Sequence, residues 1–259
     1  MTEPATNLAG RHIAITRPVE QAARLTRLIE EAGGQSISFP LLEIAPLQDY
    51  SVFEQLLDDV SVQDWLIFIS SNAVQYSMPR LQAKFVQWPA KPRCVAIGPV
   101  TAAELVQYGV TNILQPAQRF DSEALLALPE MQSVRDQRVM IVRGIGGREL
   151  IADTLRSRGA EVCFAECYRR INPQTDTGKL QRLWHNGQLD TIVVTSSEAM
   201  RHLLAMTDNG SAEWLRDIRI CVNHARIAEL PSRLGLHVQV AAAPGDEAML
   251  QCLSEVNHD

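Results

Sequence analysis

An internal repeat with a period near 126 residues constrains the fold of this 259-residue chain more than any other feature. Arg17 and Gly33 in the first copy correspond to Arg143 and Gly159 in the second, with an offset of 126 residues in both cases. Each arginine ends a strand-like run. Each glycine follows a stretch of apolar residues at helical spacing, where glycine commonly ends a helix. The sequence therefore contains two copies of a strand–helix–strand unit.

The repeat extends beyond this unit. Three further pairs of segments correspond in the same order, namely residues 64–73 with 190–199, 94–95 with 221–222 and 121–126 with 245–250, at offsets of 126, 127 and 124 residues. Solenoid repeats are much shorter, so a period of this length indicates a duplicated α/β domain.

Each copy alternates short β-rich runs with helical stretches, which is typical of a parallel sheet flanked by helices. The predicted strands are 13–16, 36–39, 65–69, 93–97 and 112–115 in the first copy and 139–142, 161–166, 190–194, 218–222 and 237–240 in the second. Five strands per copy predict two flavodoxin-like, doubly wound domains with parallel sheets. The long connections 43–63 and 169–189 are the candidate crossings between the domains.

Composition and charge narrow the class of protein. Apolar content of 46% and charged content of 21% are those of a globular protein, and the net charge of −6 argues against a nucleic-acid partner. The N-terminal residues show no signal-peptide pattern and no run approaches eighteen apolar residues, so we expect a cytoplasmic protein without a membrane partner. The five cysteines and six histidines have no metal-ligand spacing, and we expect no metal and buried free thiols.

The glycine turn 144–147 after the second-copy strand allows three interpretations. A dinucleotide site needs a glycine where Glu149 stands, which disfavours it. The amides of Gly144 and Gly146 could instead bind an anion such as a carboxylate at a helix N-terminus. A plain tight turn explains the glycines equally well.

Hydroxyl residues follow two matched strands, at Ser70-Ser71 and at Thr195-Ser196-Ser197. They are expected to cap the helices that follow, and Ser70, Ser71, Thr195 and Ser197 also lie where doubly wound sheets bind ligands. No GxSxG motif surrounds them, so a serine nucleophile is not expected.

Two further features complete the candidate site. Gly98 and Thr101 belong to a third strand-to-helix turn, in which the glycine permits a close approach. Arg17 and Arg143 stand at matched strand ends and together favour an anionic ligand. His224, in the matching turn of the second copy, is expected to be a surface or capping residue.

Several of these segments, taken in order, resemble the uroporphyrinogen-III synthase family. The resemblance rests on TRP at 16–18, SSNAV at 70–74, IGPxT at 97–101, RGxGGREL at 143–150, RGAEV at 158–162 and ECY at 166–168. It implies two flavodoxin-like domains joined by a two-stranded linker, with residues 1–42 and 172–259 in one domain and 43–171 in the other. It also implies an active site in the cleft between the domains.

The resemblance implies an activity as well. Members convert the linear tetrapyrrole hydroxymethylbilane to uroporphyrinogen III by inverting the terminal pyrrole ring and releasing water, without a metal or organic cofactor. A monomer is expected, with no nucleic-acid or membrane partner. The alternative is a non-enzymatic, bilobal module that binds a small ligand.

The resemblance also assigns roles to residues. It places a tyrosine at the position of Tyr168, and hydroxyls at Ser70, Thr101 and Thr195, among the groups that bind the substrate beside backbone amides. We single out Tyr168 as the candidate catalytic residue, because it follows the predicted strand 161–166 and should face the cleft; the alternative is a tyrosine that only packs between the domains. A phenol at Tyr168 can donate a hydrogen bond to the departing hydroxyl group. The segment 223–226 departs from the Gly-Pro-Thr turn of many relatives, so contacts from that loop are not expected to carry over.

Overall fold

The structure is a computed structural model that describes residues 7–85, 87–89 and 91–255. Part of the N-terminal segment on which the signal-peptide expectation rests lies outside these residues. The chain divides into two compact units. The first unit comprises the residues up to Glu43 together with those from Ile171 onward, and the second unit is Ile44–Arg170.

The strands of the described chain follow one another at intervals along both copies of the repeat. They are β1 (His12–Ile15), β2 (Gln35–Ser38), β3 (Glu43–Pro46), β4 (Trp65–Phe68), β5 (Arg93–Ala96), β6 (Arg138–Gly144), β7 (Glu161–Ile171), β8 (Thr191–Val194), β9 (Arg219–Val222) and β10 (Val238–Val240).

Helices connect these strands. They are α1 (Val19–Glu31), α2 (Ser51–Asp58), α3 (Ser71–Lys84), α4 (Pro99–Gln107), α5 (Ser122–Leu126), α6 (Pro129–Gln132), α7 (Leu150–Ser157), α8 (Lys179–His185), α9 (Ser197–Met206), α10 (Trp214–Asp217), α11 (Ala225–Arg233) and α12 (Asp246–Ser254). In the part of the chain that is described, no helix has the length and apolar character needed to cross a membrane.

The first unit is built on a five-stranded sheet in the order β10-β9-β8-β1-β2. All four strand pairs of this sheet are parallel. Counted along the chain of this unit, the order is 2-1-3-4-5, the flavodoxin-like order. Successive strand residues face opposite sides, so Ala14 and Ile192 pack in one core cluster while Ile13 and Val193 pack in another.

The second unit is built on a five-stranded sheet in the order β3-β7-β6-β4-β5. The β4–β5, β4–β6 and β6–β7 pairs are parallel. The repeat matches β6 and β7 to β1 and β2 and matches β4 and β5 to β8 and β9, so the 2-1-3-4 order occurs again, with β3 added beside β7. Leu66 and Phe68 face one core cluster, and Ile67 faces the other. The prediction of two flavodoxin-like parallel sheets is confirmed.

The second unit differs from the sequence predictions in three places. Residues 112–115 form a single bridge between Leu114 and Val95, because Asn112 adopts a positive φ of 56° and Pro116 has no amide hydrogen to pair. The connection 43–63 contains β3 and α2. Strand β7 also continues past the predicted end at residue 166 to Ile171, and β3 is its neighbour in the sheet.

Candidate active site

Matched serines begin the helices at the carboxyl ends of β4 and β8. The Ser70 hydroxyl accepts a hydrogen bond of 3.0 Å from the Ala73 amide, and the Ser196 hydroxyl accepts one of 3.0 Å from the Ala199 amide. Each hydroxyl satisfies an amide that α3 or α9 cannot pair internally. The capping role predicted for these segments is confirmed. Another capping prediction is confirmed at His224, whose ring accepts from the Arg226 amide at the start of α11.

Tyr168 lies inside β7, and its side chain is buried, with 1% of its surface exposed. The prediction that this strand ends at residue 166, before Tyr168, is wrong. The register between β6 and β7 pairs Arg143 with Glu166 but Gly144 with Tyr168, so β7 carries one extra residue at this point. Such a bulge turns the following side chain to the other face of the sheet. Tyr168 therefore joins the same core cluster as Cys167.

The Tyr168 ring rests directly on Gly144. A Cβ atom at Gly144 would lie 2.4 Å from Cε2 and 2.6 Å from Cζ of the tyrosine. The ring centroids of Tyr76 and Tyr168 lie 5.8 Å apart. The glycine at position 144 thus creates the space in which the phenol sits.

The Tyr168 hydroxyl has two polar neighbours. It lies 3.3 Å from the Ser70 hydroxyl and 3.4 Å from Nη2 of Arg170, whose guanidinium lies 5.6 Å from the centre of the tyrosine ring. Arginine can only donate, so the phenolic oxygen accepts from Arg170 and keeps its own proton to donate. These contacts are longer than the usual distances of about 2.7–2.8 Å for a hydroxyl pair and about 2.9–3.0 Å for an N–H donor, so neither holds the hydroxyl firmly.

The glycine turn after β6 is occupied by contacts within the chain. The Gly146 amide donates to Oε1 of Glu166 at 3.1 Å, and the Ile145 amide donates to the Tyr168 carbonyl at 2.8 Å. Gly147 adopts a φ of +105° and leaves room for Arg143, because a Cβ there would lie 2.9 Å from its Nη2. In this structure the turn positions Tyr168 and Arg143.

Arg143 is buried, with 3% of its surface exposed. Its guanidinium donates to the carbonyls of Gly144, at 3.2 Å, and of Gly146, and lies 4.6 Å from the ring centre of Phe164. Among the described residues, no carboxylate lies within ion-pair distance of it.

Arg17, the matched residue of the first unit, has different surroundings. Its Nη1 pairs with Oδ1 of Asp246 at 2.5 Å, and its Nε donates to the Thr195 hydroxyl at 3.1 Å. Both charged side chains are mostly buried, with exposures of 12% and 13%. The two matched arginines therefore differ in their surroundings, because the charge of Arg17 is already neutralised within the chain.

A cavity of about 320 Å³ opens beside Arg143 in the second unit. Residues that the sequence did not single out form much of its lining, namely Phe120, Phe164, Arg148 and Arg170. One signal was available for Arg170, which lies two residues after Tyr168 on the same strand and hence on the same face. Nothing in the local sequence marks Phe120, which is brought to the site only by the fold.

The remaining predicted residues fall into two groups. Near the cavity, Gly98 precedes α4 and touches Phe120, since a Cβ there would lie 2.8 Å from Cβ of that residue. Thr101 is buried inside α4 and Ser71 is the first residue of α3. The second group lies in the first unit and consists of Arg17, Thr195 and Ser197.

Burial makes the thiols of Cys94 and Cys167 poor nucleophiles. Burial raises the pKa of Cys94 and of Cys167 to about 12, so both thiols remain protonated at neutral pH. All five cysteines are free, and Cys163 is half-buried where full burial was predicted. Within the described ranges, no three histidine, cysteine or acidic side chains come together as metal ligands.

Comparison with known proteins shows which family this chain resembles. The family model "Uroporphyrinogen-III synthase HemD" matches residues 23–251. The chain is 36% identical over 243 residues to the uroporphyrinogen-III synthase of Salmonella typhimurium and 35% identical over 243 residues to that of Escherichia coli, with 93% of this chain and 99% of the relative covered in each case.

Solved structures show the same fold at lower identity. A mutant uroporphyrinogen III synthase from Thermus thermophilus matches with a TM-score of 0.61 at 17% identity, covering 93% of this chain and 96% of that one. The Helicobacter pylori enzyme matches with a TM-score of 0.55 at 15% identity, covering 93% and 97%. With a family model that spans nearly the whole length and relatives above 30% identity, this chain belongs to the uroporphyrinogen-III synthase family.

Proposed function

We propose that the protein is a cyclising hydro-lyase that converts hydroxymethylbilane to uroporphyrinogen III, with inversion of the terminal pyrrole ring and loss of water. Family membership supports the reaction, since the relatives from Salmonella typhimurium and Escherichia coli carry this name. The observation that carries the mechanism is the position of the Tyr168 phenol, whose hydroxyl lies 3.3 Å from the Ser70 hydroxyl and 3.4 Å from Nη2 of Arg170. The alternative of a non-enzymatic binding module is not favoured, because the curated relatives are synthases.

The chemistry asks more for positioning than for strong acid or base. An electron-rich pyrrole nitrogen can expel the hydroxyl group of the substrate, and ring closure then needs the substituted carbon of the last ring to be nearest. Holding two reacting groups in this geometry can lower a barrier by about 7–11 kcal/mol. The mechanism we propose uses no metal and no organic cofactor.

Tyr168 is the proposed proton donor to the departing hydroxyl group. Its oxygen accepts from Arg170, so its own hydrogen is left for Ser70 or for the substrate. Hydrogen bonds at such sites are often long without substrate and shorten when it binds. Because the ring is 1% exposed, we expect the Arg170 side chain, which lies beside it, to move when substrate binds.

The other proposed substrate contacts come from the strand ends. In the second unit these are the hydroxyls and amides of Ser70, Ser71, Gly98, Thr101, Gly144 and Gly146, together with Arg143. In the first unit they are Thr195 and Ser197, with a smaller part for Arg17, whose charge is paired.

The organisation and location of the protein are further proposals. We propose residues 1–42 with 172–259 and residues 43–171 as the two domains. We also propose that the protein acts as a monomer in the cytoplasm, with no nucleic-acid or membrane partner. The net charge of −6 supports the lack of a nucleic-acid partner.

The test is incubation of the purified protein with hydroxymethylbilane, followed by separation of the type I and type III isomers. Unaided closure gives type I, so we expect mainly type III with the protein and type I in a protein-free control. A product mixture that matches the control at every protein concentration would remove the proposal.

A further inference from the structure

The two copies of the repeat allow Arg143 to be compared with Arg17 at the same place in the fold. Two side chains satisfy Arg17, namely Asp246, which neutralises its charge, and Thr195, which accepts from its Nε. Nothing equivalent surrounds Arg143, which has carbonyl partners and the face of Phe164.

The sequence explains this difference. By the offsets of 124 and 126 residues, the positions of Asp246 and Thr195 correspond to Ser122 and Ile69 in the second unit. Ser122 and Ile69 both line the cavity beside Arg143. The second unit has therefore kept the arginine while both of its polar side-chain partners are replaced, and a cavity lies where they would be.

A buried guanidinium without a counter-ion is costly, because removal from water is not offset by an opposite charge. Asp121 also lines the cavity, but its carboxylate is held by Arg119 at 2.6 Å and by the Ala124 amide at 2.8 Å. An anion that entered the cavity would supply what Asp246 supplies to Arg17.

The cavity also offers an apolar surface at its rim. Phe120 is 52% exposed, which is unusual for a large aromatic side chain, and it packs on Gly98. A volume of about 320 Å³ is at the lower end of the usual range for ligand pockets, so it suits one side arm and part of a ring better than a whole tetrapyrrole.

We propose that this cavity is a subsite for one carboxylate side arm of the substrate, with Arg143 as the counter-ion and Phe120 against the pyrrole that bears the arm. The identity of that pyrrole as part of a tetrapyrrole rests on the proposed function. The need for an anion rests only on Arg143 and its surroundings.

The test gives Arg143 the carboxylate partner that Arg17 has in Asp246. Ser122→Asp places a carboxylate where Asp246 lies in the first unit, so it should occupy the guanidinium and repel a carboxylate ligand. Ser122→Asn has the same bulk without the charge and measures the steric part. Arg143→Met removes the guanidinium, and Arg158→Met is its matched control, since Arg158 also donates to two carbonyls in this unit but does not line the cavity.

The probe is a monopyrrole carrying one acetate and one propionate side chain, and its Kd is measured by NMR titration of each folded variant. We expect Ser122→Asp to raise the Kd at least about tenfold over Ser122→Asn, and Arg143→Met to raise it about tenfold or more over Arg158→Met. The melting temperature of Ser122→Asp should equal or exceed that of the wild type, because the new carboxylate pairs a buried charge.

Absence of probe binding to the wild type, or equal Kd values for the wild type, Ser122→Asp and Arg143→Met, would overturn the subsite. The result is separable from the proposed function. A protein that binds the probe in this charge-dependent manner but yields no type III isomer keeps the subsite and loses the synthase activity. A protein that makes type III with unchanged Kd values keeps the activity and loses the subsite.

Discussion

Replacing Gly144 with alanine should displace the Tyr168 ring with little other change. The new methyl group would lie 2.4 Å from Cε2 and 2.9 Å from Cδ2 of the ring. Carbon atoms prefer separations of about 3.5–4.0 Å, so the ring must retreat by roughly 1 Å. The φ angle of Gly144 is not positive, so an alanine there meets no backbone strain and the effect of the substitution is steric.

The magnitude follows from this displacement. Forcing an extra methyl group into a packed core costs about 1–3 kcal/mol of stability. A shift of about 1 Å at a catalytic group can lower the rate about 100-fold. The Ser70 contact of the phenol, already 3.3 Å long, would be lost. We therefore expect kcat for type III formation to fall about 100-fold in a variant that remains folded.

The assay pairs kcat with the free energy of unfolding from urea titration. Gly109→Ala is the control, because Gly109 has a φ of +79° with open space around it and lies in the same unit. It should lose about 1–2 kcal/mol of stability from backbone strain yet keep its activity per folded molecule. If Gly144→Ala is folded and as active as Gly109→Ala, the position of the Tyr168 ring against Gly144 does not affect catalysis.

Three other substitutions test separate parts of the account. Ser70→Ala and Ser196→Ala should each cost about 1 kcal/mol of stability through loss of a helix cap. We expect only Ser70→Ala to lower kcat as well, since the Ser70 hydroxyl lies 3.3 Å from the phenol; equal kcat values would contradict this. Arg17→Ala should lower the free energy of unfolding by about 1–3 kcal/mol, because it leaves Asp246 unpaired. It should raise KM less than Arg143→Met does, and the reverse order of KM would show that Arg17 binds substrate in spite of its ion pair. Burial raises the pKa of Cys94 from 9.0 to about 12, so the contribution of the protonated thiol to stability is intact below pH 9.0 and is lost as the pH rises towards 12. Between these pH values the melting temperature of Cys94→Ala should fall less than that of the wild type, and identical profiles of the two proteins would argue against the shift.

Much of the fold follows from the repeat and from local pattern. The offset of 126 residues predicted that strand order and helix caps would occur twice, and both sheets have the 2-1-3-4 order. The strand predictions around Ile13, Leu66 and Val139 agree with β1, β4 and β6 to within one or two residues, because these runs are apolar, short and ended by turns.

The errors arise where tertiary contacts decide. Strands β3 and β7 are neighbours in the sheet, and neither β3 nor the last residues of β7 have a strand pattern strong enough to predict them alone. The extra residue in β7 reverses the alternation that would have placed the Tyr168 side chain on the other face. The period-2 pattern contains no signal for such a bulge.

The candidate site shows the same limit. Arg17 and Arg143 have the same position in the repeat, and only the identities of Asp246 and Ser122, more than a hundred residues apart in sequence, separate a paired from an unpaired charge. The alignment of residues 121–126 with 245–250 already contained that difference. Its meaning depended on knowing that both residues face the arginine in the fold.

The proposal that the Tyr168 phenol donates a proton to the departing hydroxyl group is tested most directly by the activity of Tyr168→Phe. This substitution removes the phenolic oxygen and leaves the ring packed against Gly144. An indispensable general acid would contribute about 10²–10⁴ in rate. The pyrrole nitrogen supplies much of the driving force, so we expect kcat to fall about tenfold to a hundredfold, or roughly 1.4–2.8 kcal/mol. Little change in stability is expected, since both hydrogen bonds of the hydroxyl are long. Wild-type kcat with pure type III product in Tyr168→Phe would show that the phenol only packs and that positioning alone produces catalysis.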